Sequence, residues 1–431
     1  MGLRLVAALV VLGTGFRAIS DDDYARTVIA QRFVAAPKLD PSGTSWLPFP
    51  FHAMGGAMAL FGRSIEVARG ASVALSLAGG VAMHLALVAW VVPRRARVLG
   101  IAAVSVLPWT LWTTVATVPE AFTAAFVASS VLFAALPADR ATTATRLVAA
   151  GLAYAATLSR YEAWPAALVV AGALAASSRE LVLEETAGDA HGARATRGAA
   201  FAAVFLALTG IVVWMIWNRV SHGSATHFLF RVARYKKSLG AGQPEGTLFE
   251  RLIAYPRLLA IHFPEAIAAL VVFAAHLRDR GPLARARGVS VAAAGATLTF
   301  LVIGNINDGA PTHHAERALL AAVFCLIPLA VASVATAGPR RAWFVAAGLL
   351  GLVELGHVCV RERPGGGAAD RAAQVARGHA LRGEPNLRVV PCTYEHFALI
   401  AAYGAPEKVD IGVEPKPAAG DCPHVEAEPR K

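Results

Sequence analysis

The segment MGLRLVAALVVLGTGFRAISDDDYAR, residues 1–26, decides the fold prediction. Its apolar run, residues 3–19, is long enough to cross a bilayer if Arg4 and Arg17 extend toward opposite surfaces. Three consecutive aspartates, residues 21–23, follow directly. Ionised groups at the end of a span are costly unless they face water or take part in chemistry. The segment therefore predicts a membrane anchor leading into a polar site, with a cleaved signal peptide as the alternative.

The remaining chain has the composition of a membrane protein. Of its 431 residues, 56% are hydrophobic and only 16% are charged, with a mean hydropathy of +0.52. The apolar runs are continuous rather than alternating, which favours helices over a transmembrane β-barrel. We therefore predict an all-α polytopic membrane protein with about 11 transmembrane helices. The predicted spans are residues 3–19, 71–92, 98–115, 121–136, 147–158, 165–176, 199–217, 263–277, 289–303, 318–334 and 343–360.

Charges in the loops predict the orientation. Arginine is concentrated in short loops, which by the positive-inside rule are cytoplasmic. The amino terminus is then cytoplasmic, whereas the long loops 20–70 and 218–262 and the carboxyl terminus are extracytoplasmic. Loop 218–262 has many more basic than acidic residues, which indicates an anionic partner such as a lipid phosphate; a merely solvated basic face is the alternative. The arginine-rich loops are residues 93–97, 138–146, 278–288 and 338–341.

Composition changes after residue 360, which divides the chain into a transmembrane domain, residues 1–360, and a small extracytoplasmic α/β appendage, residues 361–431. The appendage has equal numbers of acidic and basic residues, so the net charge of +11 belongs to the membrane domain. We predict strands at 386–391 and 408–413, a helix at 393–404, and disorder from about Glu414. In an oxidising compartment Cys392 and Cys422 are able to form a disulfide, and from two cysteines alone the pairing stays open.

Several ionisable residues are predicted to share the extracytoplasmic side. Each alone is more often an interfacial anchor than a catalytic group, but the arginine-rich loops have no comparable set of acids and histidines. The chain lacks a phosphate-binding glycine loop, a GxSxG elbow, an HExxH motif and paired CxxC motifs. Membrane topology explains the basic charge without nucleic acid. The candidates are Asp21, Asp22, Asp23, Glu120, Arg160, Glu162, His313, His314, Glu316 and Arg317.

Five segments resemble one enzyme family. They are SDDDYAR at 20–26, SWLPFPFHAMGGAMALFGRSIEVARGAS at 45–72, TVPEAF at 117–122, LSRYEAWP at 158–165 and HHAERALL at 313–320. Together they resemble the GT-C polyprenyl-phosphate-dependent glycosyltransferases, which include protein O-mannosyltransferases and lipid A aminoarabinose transferases. The resemblance covers about the first 170 residues and continues afterwards only in outline.

The resemblance implies transfer of a sugar from a polyprenyl-phosphate donor to a lipid, glycan or protein acceptor, with inversion, at the outer face of the membrane. This reaction needs a carboxylate at the acceptor hydroxyl and cations at the departing phosphate. By similarity the base lies in the first loop, with Asp22 preferred over Asp21 and Asp23. Glu120 is the second acid, which would orient the acceptor or help to hold a divalent cation.

The resemblance also implies a set of substrate-binding residues. A guanidinium matches phosphate oxygens, which makes Arg160 and Arg317 the leading phosphate ligands. His313 and His314 would contact phosphate or sugar, since adjacent histidines are weak evidence for a metal site. The remaining candidates are Tyr24, Glu162, Lys236 and Lys237.

Two other functions remain open at this stage. A ligase or polymerase of O-antigen type is chemically close to the leading hypothesis. A transporter or a flippase for lipid-linked sugars would place polar residues through the middle of the membrane and break the helices there. Here the ionisable residues gather at one face, which favours surface chemistry.

Overall fold

The structure, a computed structural model, describes residues 2–185, 190–238, 246–278, 281–307, 314–336, 368–390, 396–411 and 426–429. The described part is almost entirely helical up to residue 336 and mixed helix and strand after residue 368. The helices are α1 Gly2–Gly13, α2 Asp21–Ala35, α3 Phe49–Phe61, α4 Ile65–Ala89, α5 Arg94–Ser105, α6 Pro108–Val115, α7 Glu120–Ala134, α8 Thr143–Thr157, α9 Ala163–Glu185, α10 Ala190–His222, α11 His227–Ser238, α12 Leu248–His262, α13 Pro264–Ala275, α14 Ala284–Ile306, α15 Leu320–Thr336, α16 Ala368–Ala380 and α17 His396–Tyr403. Short 3₁₀ helices occupy Ala315–Leu319 and Pro406–Lys408, and the strands are β1 Leu387–Val390, β2 Val409–Ile411 and β3 Glu426–Pro429.

Helices α7 and α15 form the centre of the bundle. Every residue of α7 is buried, and the apolar stretch that includes α15 is 83% buried. Helix α10 lies at the periphery, where Phe201 and Phe205 are about three-quarters exposed, at 76% and 75%. Helices that are apolar all round belong at the centre, whereas exposed phenylalanines suit contact with lipid chains. The burial pattern is therefore that of a membrane-embedded bundle.

The predicted number of about 11 spans is not confirmed. Among the described residues, four helices are long and apolar enough to cross a membrane, and six spans result if each of two bent pairs counts as one. The segment predicted as one span at 98–115 is broken into α5 and α6, which meet at 74°. Helix α13 is bent by 95° from α12. Pro108 and Pro264 stand at the first turn after each break, where proline lacks the N–H that would continue the preceding helix. The span predicted at 343–360 lies outside the described residues.

The first apolar segment also differs from its prediction as a continuous span over residues 3–19. Helix α1 ends at Gly13, and Gly15 adopts a positive φ of 86°, which glycine accepts without steric cost. Arg4 does not extend to water. Its side chain is buried, and its Nη1 donates to the carbonyl of Ser76 on α4 at 2.9 Å. Bonding to α4 thus replaces the expected extension of Arg4 to the membrane surface.

The carboxyl-terminal elements form a three-stranded sheet in the order β2-β1-β3, with β1 parallel to β2 and antiparallel to β3. Helix α17 connects β1 to β2, so the strand, helix and strand expected within 386–413 are present. The disorder expected from about Glu414 is wrong for residues 426–429, because β3 pairs with the second edge of β1 and satisfies its backbone groups. Cys392 and Cys422 lie outside the described residues.

The sheet and its helices pack on α2 rather than standing apart from the membrane domain. Tyr24 and Val28 of α2 share a hydrophobic cluster with Leu387 of β1 and Leu399 of α17. Gln31, fully buried on the same helix, donates to the carbonyl of Ala401 at 2.8 Å. The first loop therefore folds as a layer between the membrane helices and the carboxyl-terminal elements.

Close packing between α4 and α7 depends on a small residue. A Cβ atom added at Gly79 would lie 2.6 Å from the Cβ of Ala125, whereas one added at Gly70 of the same helix meets nothing within 4 Å. We expect Gly79→Ala to lower the free energy of unfolding by about 1–3 kcal/mol through overpacking, and Gly70→Ala to raise it by about 0.5–1 kcal/mol through helix propensity. Unfolding midpoints in detergent would test the pair. Equal midpoints for the two variants would contradict this account of the interface.

Candidate functional site

A buried carboxylate, Glu120, forms the centre of a charged cluster. Its Oε1 lies 3.0 Å from Nη1 of Arg160 and 3.2 Å from Nε of Arg317. Glu120 is the first residue of α7, where a negative charge interacts favourably with the helix dipole. Its side chain is only 2% exposed, so the two guanidinium groups provide the countercharge that burial requires. Glu120 thus joins the connection between α8 and α9 to the 3₁₀ helix before α15.

Arg160 uses all three of its guanidinium nitrogens. Besides the contact with Glu120, its Nε and Nη2 donate to the two carboxylate oxygens of Glu162 at 3.1 and 2.6 Å. The bidentate geometry fixes the plane of the guanidinium group. Arg160 and Glu162, predicted as substrate-binding residues, therefore form part of the framework of the cluster in this conformation.

The guanidinium group of Arg317 has fewer partners than that of Arg160. Its Nη2 lies 3.7 Å from Oδ2 of Asp22, a distance longer than a hydrogen bond. Its Nη1 is buried and has no hydrogen-bond partner among the described residues. The Asp22 side chain is 45% exposed. Arg317 and Asp22 thus form a loose pair in which the carboxylate is accessible to water, whereas the guanidinium group is buried and has a nitrogen without a hydrogen-bond partner among the described residues.

The three adjacent aspartates have three different environments, because successive residues of a helix point about 100° apart. Asp21 accepts two hydrogen bonds from Arg371 of α16, at 2.7 and 3.4 Å. Asp22 faces Arg317 and water. Asp23 is buried and closes the first turn of α2, where it accepts hydrogen bonds from the backbone N–H groups of Ile19, Ser20 and Thr117 at 2.9, 3.2 and 2.8 Å.

The contacts of Asp23 therefore stabilise the start of α2. Burial raises the pKa of the Asp23 carboxyl, and the three backbone donors oppose that rise. The hydroxyl of Thr117 donates to the Asp23 carbonyl at 2.7 Å and lies 3.3 Å from Asp23 Oδ1. The structure places Asp23, one of the three predicted candidate bases, away from water and on backbone donors, whereas Asp22 is accessible.

Tyr24 also differs from its predicted role as a substrate ligand. The ring is 2% exposed and packs in the hydrophobic cluster between α2 and the carboxyl-terminal elements. Burial raises the pKa of its hydroxyl. The ring supports the position of α2 and is not accessible to a substrate in this conformation.

The histidine and lysine candidates are only partly described. The ring of His314 lies 5.2 Å from that of Trp109, and its Nδ1 lies 3.7 Å from a carboxylate oxygen of Glu316. His314 has a positive φ of 52°, which holds it at the turn before the 3₁₀ helix. His313 lies outside the described residues. The same holds for the side chains of Lys236 and Lys237, whose backbone belongs to α11.

Arg26 belongs to the cluster, although the sequence interpretation did not select it. Its guanidinium carbon lies 4.3 Å from the ring centroid of Trp46 and 5.7 Å from that of Phe51. Burial lowers the pKa of Arg26 to about 10, with Glu120 and Asp22 acting in the opposite direction. The spacing of four residues from Asp22, which puts both side chains on one face of α2, was the signal that could have identified it. The Trp46 ring covers this cation.

Tyr255 was also missed, and no sequence motif marks it. Its ring is almost fully buried on α12, and its hydroxyl has no hydrogen-bond partner among the described residues. It lies within electrostatic range of Glu162 and Arg160. A buried tyrosine hydroxyl usually has a hydrogen-bond partner, so this hydroxyl adds an unused donor and acceptor to the cluster.

The described residues contain no group of three or more histidines, cysteines, aspartates or glutamates arranged to hold a metal ion. In the described part of the site, the positive charges around Glu120 are those of Arg26, Arg160 and Arg317. The cluster therefore brings together an accessible carboxylate, an incompletely paired arginine and a neutral hydroxyl at one end of the bundle. This combination suits proton removal from an acceptor and stabilisation of an anion.

Comparisons with known proteins identify the fold. No protein-family profile and no curated protein matches the chain. Among solved structures, the chain is similar to ArnT from Cupriavidus metallidurans bound to undecaprenyl phosphate, with a TM-score of 0.51 and 16% identity over 94% of this chain and 75% of that one. The apo structure of ArnT gives a TM-score of 0.49 and 16% identity, over 94% of this chain and 74% of that one. The chain therefore has a GT-C-like fold, as the sequence resemblance predicted.

Proposed function

We propose that the chain is an integral membrane glycosyltransferase that moves a sugar from a polyprenyl-phosphate donor to an acceptor hydroxyl at the extracytoplasmic face. The observation that carries the proposal is the pair formed by Asp22 and Arg317, an accessible carboxylate beside a buried guanidinium with an unpaired nitrogen. The GT-C-like fold supports it, because the ArnT structure contains undecaprenyl phosphate, a ligand of the same class.

In this proposal Asp22 is the general base. Its carboxylate accepts the proton of the acceptor hydroxyl while the hydroxyl oxygen attacks the anomeric carbon. The bond between that carbon and the phosphate oxygen breaks, and its electron pair leaves with the lipid phosphate. Attack from the side opposite the leaving group inverts the configuration. Of the three aspartates, Asp22 suits this role best because Asp21 is bonded to Arg371 and Asp23 is buried.

Arg317 would hold the donor phosphate in this reaction. Its unpaired Nη1 offers a charge-assisted hydrogen bond, and its fixed charge opposes the negative charge that develops on the leaving group. Arg26, covered by Trp46, adds a second positive charge within electrostatic range of Glu120 and Asp22. Glu120 keeps Arg160 and Arg317 in place and takes no proton.

Charge distribution supports an extracytoplasmic site. Helix α4 runs from the first loop to the arginine-rich loop 93–97, and α7 runs from Glu120 to the loop 138–146. The site and these arginine-rich loops are therefore at opposite ends of the same helices. Because arginine-rich short loops favour the cytoplasm, the site would face the outside.

The first test compares aspartates at the two ends of the bundle. We expect Asp22→Asn to slow sugar transfer by about 10²–10⁴-fold, since the amide cannot accept the hydroxyl proton. Asp139→Asn serves as the control, because that side chain is 72% exposed in a loop at the opposite end. Purified protein in nanodiscs would be supplied with radiolabelled polyprenyl-phosphate hexoses and pentoses and with membrane extract as the source of acceptors. Wild-type transfer by Asp22→Asn would overturn the proposed base.

A second test separates the structural aspartate from the catalytic one. Removing the Asp23 carboxylate leaves three backbone N–H groups without their acceptor, two of them fully buried, so Asp23→Ala should lower the free energy of unfolding by about 2 kcal/mol. The exposed Asp22→Asn should change it by less than about 0.5 kcal/mol. Thermal and denaturant unfolding in detergent would measure both values. Equal destabilisation by the two variants would contradict the division of roles.

The third test measures binding of the lipid phosphate without requiring turnover. Arg317→Lys retains a charge beside Glu120 but loses the forked geometry, so we expect about tenfold weaker binding of polyprenyl phosphate, equivalent to one charge-assisted hydrogen bond. Native mass spectrometry with polyprenyl phosphate titrated into the detergent micelle would give the affinity. The matched control is Arg140→Lys in the loop at the opposite end of the bundle. Unchanged affinity in Arg317→Lys would remove Arg317 from the phosphate site.

A further inference from the structure

The first turn of α2 is held from two sides. On one side, Nε and Nη2 of Arg371 reach the two oxygens of Asp21 at 2.7 and 3.4 Å. On the other, Asp22 faces Arg317 at 3.7 Å. The Arg371 side chain is 12% exposed and that of Asp21 is 27% exposed. Burial acts to lower the pKa of Arg371, but the Asp21 carboxylate outweighs it and raises the pKa above its ordinary value.

One face of α2 packs against the carboxyl-terminal elements. Asp21, Tyr24, Val28 and Gln31 follow the spacing of three and four residues that forms one side of a helix. Each contacts those elements, through an ion pair, the hydrophobic cluster or the hydrogen bond to Ala401. Asp22 lies on a different side of the same turn. The carboxyl-terminal elements thus fix the rotation of α2 about its own axis, which decides where Asp22 points.

The Arg371–Asp21 pair is the contact nearest to Asp22 in this set, because it joins the residue immediately before it. The hydrophobic contacts of Tyr24 and Val28 restrain the helix from farther along its length. A bidentate pair also restrains orientation more strongly than an apolar contact, which has no preferred direction. Asp23 anchors the same turn through its backbone donors, and the Arg371–Asp21 pair is the contact from the carboxyl-terminal elements that acts on the residue next to Asp22.

We propose that Arg371 is a positioning residue for the reaction: by binding Asp21 it holds the first turn of α2 so that the Asp22 carboxylate meets Arg317 and the acceptor. This inference rests on the proposed role of Asp22. It assigns Asp21 to a structural contact. It also links the carboxyl-terminal elements to catalysis, although Arg371 is separated from Asp21 by 350 residues in the sequence.

The test is a double-mutant cycle on transfer kinetics. A small misplacement of a catalytic group costs up to about 100-fold, so we expect Arg371→Gln and Asp21→Asn each to lower kcat by about 10- to 100-fold. The KM for the polyprenyl-phosphate sugar should change less than twofold, because the phosphate contacts of Arg317 are intact. The double variant should lose no more than either single variant, since both act through one bond. Arg371→Lys, which keeps the charge, should recover part of the rate.

A matched control is the Arg63–Glu407 pair. It joins the same carboxyl-terminal elements to the turn before α4 at 2.9 Å, and both side chains are partly exposed, at 29% and 36%. Arg63→Gln should therefore leave kcat unchanged. An equal loss of kcat in Arg63→Gln would mean that general loosening, not the Arg371–Asp21 bond, is responsible, and it would overturn the inference. Additive losses in the double variant, or wild-type kcat in Arg371→Gln, would also overturn it.

The outcomes separate this inference from the proposed function. If Asp22→Asn abolishes transfer and Arg371→Gln transfers at the wild-type rate, only the positioning role fails. If Asp22→Asn itself transfers normally, the proposed base fails, whatever Arg371 does. Unfolding midpoints of Arg371→Gln and Arg371→Lys within a few degrees of wild type would confirm that the kinetic loss belongs to a folded protein.

Discussion

The ion pairs of Glu120 join parts of the chain that are far apart in sequence. One buried carboxylate contacts Arg160, between α8 and α9, and Arg317, before α15. A charge that is 2% exposed is stable only with its partners present, and removing one partner of a buried pair commonly costs about 3–5 kcal/mol. The position of Arg317, and through it the environment of Asp22, therefore depends on a residue that takes no proton in the proposed reaction.

Helix periodicity explains how three identical side chains acquire different properties. In an extended loop, Asp21, Asp22 and Asp23 would share one solvated environment. Because they open a helix, one points to α16, one to the arginines and one back to the preceding backbone. Mutual repulsion is also relieved, since Arg371 and the backbone N–H groups each neutralise a neighbour of Asp22. Two of the three aspartates thus hold the start of α2 in place, and only the Asp22 carboxylate remains available to accept a proton.

The sequence predicted features that depend on local patterns. Apolar runs predicted a helical membrane protein, and alternation with turn residues predicted β1, α17 and β2. The acid-rich start of α2 was identified because three carboxylates after an apolar run are locally unusual. The helix break at Pro108, inside the span predicted at 98–115, was missed, since a hydropathy average is insensitive to a single missing N–H. The order of preference among the aspartates came from a resemblance, whereas their separate contacts required the structure.

Contacts between segments that are distant in the chain could not be predicted from the sequence. Arg371 lies in a stretch that reads as a soluble appendage with balanced charge, and nothing near it indicates a bond to Asp21. Tyr255 carries no motif, and its significance comes only from burial beside Glu162 and Arg160. Arg26 was predictable in principle, because it is one helical turn after Asp22, yet an arginine near a membrane surface is ordinarily an anchor. Burial under Trp46 distinguishes Arg26 from an ordinary arginine anchor at the membrane surface.

Separation of charge along the bundle links the fold to the proposed chemistry. The ends of α4 and α7 near loops 93–97 and 138–146 carry arginines that suit the cytoplasmic surface, whereas the ends near α2 carry acids and arginines paired with one another. Paired charges remain close to neutral as a group, which lowers the cost of keeping them at the edge of a hydrocarbon layer. In the proposed reaction, the loose contact between Asp22 and Arg317, at 3.7 Å, leaves the carboxylate able to accept a proton while Arg317 holds the lipid phosphate.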